Sequence, residues 1–143
     1  MASKIWKHSE LVAIDVAGTS GGIGIIWNPY VFSLTNLMET RFSISTEFHI
    51  LGTSTKALLT HVYGPFALAD KQIFLLSLKT MSHLVGRKNW ILGGDFILIR
   101  NLQEKKGGIR TLSPTSNYFD TLIENLALVD INTDNGWHTW TNK

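Results

Sequence analysis

The spacing of apolar positions changes near residue 70. From Arg41 to Ile50 the chain alternates, with Phe42, Ile44, Thr46, Phe48 and Ile50 on one face and Arg41, Ser43, Ser45, Glu47 and His49 on the other. A period of two predicts a strand with one wet face. Leu11 to Val16, Ile23 to Trp27, Val31 to Leu37 and Ala57 to Tyr63 are further short apolar or β-branched runs, separated by turn material. Asn28-Pro29 closes the second of these, because proline cannot donate to a ladder and restricts the residue before it. This half of the chain reads as antiparallel hairpins. Beyond it Ile73, Phe74, Leu78, Met81, Leu84 and Val85 recur at helical spacing, with Asp70 as N-cap and Gly86 as the stop.

Asn89 to Ile97 follows: a short apolar run, two glycines, and one acid in hydrophobic company. Such a run predicts a buried strand. A carboxylate at its end is hard to solvate and needs a partner, so Asp95 is the first candidate for chemistry. Leu98 to Arg110 is a charged loop. Ser113-Pro114 opens a second helix, with Phe119, Leu122, Ile123 and Leu126 as its apolar stripe. Leu128 to Ile131 reads as a short strand, Asn132 to Gly136 as a turn, and Trp137 to Trp140 as an extended piece. The sum is an α/β layer protein, sheets inside and helices on their outer faces.

Composition narrows this picture modestly. At 143 residues and 44% hydrophobic, the chain suits one domain with a sizeable core. The net charge is +2 and the pI about 9.0, a mild basic bias compatible with a polyanion partner. The absence of cysteine excludes a disulfide framework and a thiolate zinc site. No apolar run approaches the about 20 residues that span a bilayer, and the first residues lack the apolar core of a signal peptide. The expectation is a soluble intracellular chain with no membrane association.

Several motifs have competing readings. Gly18, Gly22 and Gly24 have the glycine spacing of short-chain dehydrogenases, but Ile25-Ile26-Trp27-Asn28-Pro29 continues as strand where a dinucleotide loop must open a helix. A hairpin turn is therefore expected. Gly93-Gly94-Asp95-Phe96 is similar to the signature of diguanylate cyclases, which needs a further acid directly after the aspartate; Phe96 supplies none. Tyr63 reads either as a packed aromatic with its hydroxyl at the surface or as a phenol donating to a phosphate oxygen near Asp95. His49, His83 and His138 show no metal-ligand spacing. Trp137 and Trp140 read as core closers. Lys105, Lys106 and Arg110 form a small basic cluster, either a solvated loop or a phosphate contact.

Together, Tyr63-Gly64-Pro65, the helix after it, Trp90-Ile91-Leu92-Gly93-Gly94-Asp95-Phe96 and the closing His138-Thr139-Trp140-Thr141-Asn142 follow one order. This order resembles the endonuclease/exonuclease/phosphatase superfamily, in the form carried by plant LINE-type (non-LTR) retrotransposons. The Gly18 to Trp27 hairpin and Asn28-Pro29 are similar to that group as well. The resemblance implies a four-layer α/β sandwich, two mostly antiparallel sheets face to face with helices outside. It implies Mg²⁺ as cofactor, DNA as partner and a nuclear location. It also implies that Asp95 orients and deprotonates the attacking water while Tyr63 steadies the scissile phosphate. A divalent cation would neutralise phosphate oxygens while the fixed carboxylate aims the nucleophile.

The chain departs from that pattern at defined points. Ile97 stands where the family has an asparagine that donates to phosphate, and losing one transition-state donor costs about a hundredfold or more. The family's principal magnesium-binding glutamate has no counterpart between Met1 and Val16, where Glu10 stands in a different context. Its closing aspartate and Asp-His pair lie beyond a Thr-Trp-x-Asn segment, and this sequence ends at Lys143. No complete metal site is therefore expected. The expectation is a single, incomplete domain over residues 1–143, a remnant that does not cut DNA, with uncovered sheet edges that favour oligomers. The alternative is a non-catalytic nucleic-acid-binding or interaction module built on Lys105, Lys106 and Arg110.

Overall fold

A computed structural model of the chain describes residues 7–15, 22–86, 89–104 and 111–131. Strands β1 (Glu10–Asp15) and β2 (Gly22–Trp27) pair antiparallel, with Asp15 opposite Gly22 and Glu10 opposite Trp27. Because β2 continues as strand after the glycines, no helix opens there and a dinucleotide loop is excluded. The turn itself, 16–21, lies outside the described residues. Strands β3 (Phe32–Glu39), β4 (Ser43–Ile50), β5 (Lys56–Tyr63) and β6 (Asn89–Asp95) form a second sheet in that order. The first three are antiparallel neighbours, whereas β5 and β6 run parallel. A parallel pair needs a long crossover, and helix α1 (Leu68–Val85) supplies it. Helix α2 (Pro114–Asn125) follows β6.

The two sheets lie face to face. Ile23, Ile25 and Trp27 of β2 pack on Ile44 and Phe48 of β4, with Leu59 and Tyr63 of β5 at the margin. The other face of the larger sheet carries both helices. Phe74, Leu75 and Leu78 of α1 and Phe119, Leu122 and Ile123 of α2 enclose Phe42 and Val62. The protein is thus a mixed α/β sandwich of two sheets with helices outside, and the described residues supply three layers of it.

Helix α2 starts as its sequence predicts: Ser113 Oγ accepts from Ser116 N at 3.1 Å, and Pro114 takes the first helical position. Helix α1 does not. It begins two residues before Asp70, with Ala67 at the N-cap and no side-chain cap. Asp70 sits instead in the first turn, where its carboxylate pairs with Arg41 through contacts of 2.8 and 3.2 Å. Gly86 ends the helix at φ 61, a conformation in which glycine avoids the Cβ clash of other residues.

The expected wet face of β4 is dry at its centre, whereas Arg41 is exposed and His49 half-buried at its ends. Ser43, Ser45 and Glu47 are buried, because α1 covers them, and Phe42 faces the helices rather than sharing the inter-sheet side with Ile44. The covered hydroxyls are satisfied locally. Ser45 Oγ and Thr60 Oγ1 lie 2.9 Å apart, Trp90 Nε1 donates to Thr60 Oγ1 at 2.9 Å, and Met81 Sδ lies 3.1 Å from Ser45 Oγ. Leu128 to Ile131 is not a strand. Val129 and Ile131 are exposed, and the segment is tethered through Asp130, whose carboxylate accepts from Arg100 at 2.7 Å. Arg100 also donates to Asp120 of α2 at 2.7 Å, which joins the loop after β6 to the second helix. The described part of the loop includes a short 3₁₀ turn, Leu102–Glu104. Residues 132–143, with the expected turn and the Trp137 to Trp140 piece, lie outside the described residues.

Thr60 holds the buried polar layer together. Thr60→Val keeps the side-chain shape but leaves the Trp90 indole N–H without its acceptor. The expected cost is about 1–3 kcal/mol, read as a lower urea midpoint with unchanged slope; an unaltered midpoint would show that this hydrogen bond is not needed.

Candidate functional site

Tyr63 ends β5 and Asp95 ends β6, and the two are partners in the parallel register. Three main-chain segments meet at this tip. Tyr63 N donates to Phe42 O at 2.9 Å, and Gly64 N donates to Asp95 O at 2.6 Å. Gly64 has a steric reason to be glycine, since a Cβ there would collide with the Phe96 carbonyl. Gly94 has two: its φ is 126, and a Cβ would strike Val62 O and come within 2.9 Å of the His61 ring. These glycines let β5 and β6 close tightly below the two candidate side chains.

Phe96 anchors the tip to both helices, its ring centroid lying 6.4 Å from that of Phe74 and 5.2 Å from that of Phe119. The next residue is unusual. Ile97 has φ 52, in the left-handed region, where a β-branched side chain is strained. Two contacts hold it: Ile97 N donates to Asp95 Oδ1 at 3.1 Å, and Lys71 Nζ donates to Ile97 O at 3.2 Å.

The expectation of a buried strand needs correction. Segment β6 is a strand, but among the described residues it is an edge of its sheet; Ile91 is 48% exposed and Asp95 is exposed. Water reaches the carboxylate, so burial does not compel it to find a partner. Tyr63 is half-buried and packs against the inter-sheet core.

Among the described residues no group of three or more His, Asp or Glu side chains is placed to hold a metal ion. Among the described residues the candidate tip offers one carboxylate, with one oxygen already accepting from its own chain. Magnesium takes an octahedral oxygen shell, and these residues do not form one. Lys105, Lys106 and Arg110 lie outside the described residues. No described helix is long and apolar enough to cross a membrane.

Two neighbours of the tip escaped the sequence reading. Lys71 stands in no motif of the sequence, and only the crossover brings it to Ile97. His61 was legible in principle, since it stands two residues before Tyr63 and shares its face. It is opposite Gly93, and burial lowers the pKa of its imidazole.

No family model matches this chain, and no curated protein matches it. Among solved structures, the human Nocturnin catalytic domain with bound sulfate anion is similar at a TM-score of 0.47 and 14% identity. The match covers 66% of this chain and 44% of that one, so the chain spans less than half of that domain.

Burial of His61 gives a stability effect of defined sign. In alkaline solution the ring is neutral in both states. As the pH falls through its ordinary value of 6.5, the unfolded chain takes up a proton that the folded chain resists, so stability declines on the acid side. The unfolding midpoint should drop between about pH 7.5 and about pH 5, and His61→Gln should reduce that drop. An identical decline in the variant would contradict this assignment.

Proposed function

We propose that the tip formed by Tyr63 and Asp95 is a phosphodiester-directed site in a non-catalytic form, in a single domain of the endonuclease/exonuclease/phosphatase type that derives from a LINE-type retrotransposon reading frame. The observation that carries this reading is the register of β5 and β6, which sets the phenol and the carboxylate on adjacent strands at one end of the larger sheet. That arrangement suits a phosphate oxygen held by Tyr63 beside a water oriented by Asp95. The Ile97 side chain has no donor for a phosphate oxygen, and a lone carboxylate is a weak cage for a divalent ion. DNA remains the polyanion that such a surface would meet, and reverse-transcriptase coding sequence downstream in the genome would establish the origin.

The test is nicking of supercoiled plasmid in the presence of Mg²⁺ or Mn²⁺. The expected result is a rate equal to that of Asp95→Ala prepared in parallel. Robust nicking that Asp95→Ala abolishes would overturn the non-catalytic reading. It would make Asp95 a working catalytic residue.

A further inference from the structure

The turn after β6 combines features that secondary structure alone does not explain. Residue 97 is β-branched yet left-handed, at φ 52. Its neighbours Phe96 and Leu98 pack against the helical core, and Ile97 itself is half-buried. Its main chain is bonded on both sides, by the Asp95 carboxylate at its N–H and by the Lys71 ammonium at its carbonyl. Two polar contacts and the anchored flanks thus hold the backbone at this position.

We infer that residue 97 is a main-chain latch that orients Asp95, and that the latch is shaped for asparagine or glycine and strained by isoleucine. Asparagine and glycine enter the left-handed region at little cost, whereas a β-branched residue there meets its own carbonyl. The Ile97 N–H holds Asp95 Oδ1 and so fixes the rotation of the carboxylate. Lys71 closes the other side and ties the latch to the first turn of α1. Residue 97 is thus a positioning residue, acting on Asp95 through its backbone. The inference stands without the functional proposal above, since it concerns conformation and not cleavage.

The test uses the full chain and two readouts. In thermal unfolding, Ile97→Asn and Ile97→Gly should each raise the midpoint by roughly 3–8 °C, while Ile97→Val, equally branched, should not. In amide hydrogen exchange, the Ile97 N–H should be protected in the wild type and in Asp95→Asn, which keeps the acceptor oxygen, but unprotected in Asp95→Ala. The inference is overturned if Ile97→Asn and Ile97→Gly both melt below the wild type. It is equally overturned if the Ile97 amide exchanges as fast in the wild type as in Asp95→Ala.

Discussion

Parallel strands cannot be joined by a tight turn, and the pairing of β5 with β6 is the constraint on which this structure depends. A chain that leaves the end of β5 must return to the start of β6, and it does so through the eighteen residues of α1. That return lays α1 across one face of the sheet and buries Phe74, Leu75 and Leu78 beneath it. It also brings Tyr63 and Asp95 level with each other, although they are far apart in sequence. Core and candidate site are two consequences of one crossover.

The same crossover explains what sequence periodicity could and could not reveal. Strand positions were legible because each strand carries its own turn residues, and α2 was legible because Ser113-Pro114 is a local signal. Solvent exposure was not local. Alternation in β4 reads correctly as two faces, but whether the polar face meets water depends on α1, which lies beyond β5 in the chain. The hydroxyls of Ser45 and Thr60 satisfy each other and Trp90, so a polar face tolerates burial. Asp70 misled for a similar reason: its cap-like identity is real, but Arg41, brought close by the sheet, supplies a better partner. Leu128 to Ile131 has the composition of a strand, and it is held by an ion pair at Asp130 in place of a ladder.

At the candidate site, residue identities were legible and their environment was not. The two glycines before Asp95 pointed to close backbone approach, and Gly94 makes one against Val62. An apolar run before the acid suggested an interior strand; its place at the sheet edge leaves the carboxylate in water. Local sequence gives no sign that Lys71 reaches the carbonyl of Ile97, or that Ile97 is left-handed. Those facts belong to the joint between a helix and a strand end. They shift attention from burial to main-chain geometry as the factor that orients Asp95.

The adjacency of Tyr63 and Asp95 can be read directly, because the chain has no cysteine of its own. Paired substitutions Tyr63→Cys and Asp95→Cys should form a disulfide under mild oxidation, since register partners on neighbouring strands fall within the separation a disulfide spans. A control pair, Tyr63→Cys with Asn89→Cys, lies at opposite ends of the β5–β6 pairing and should stay reduced. Cross-linking in the control, or its absence in the register pair, would contradict the parallel register and with it the candidate site.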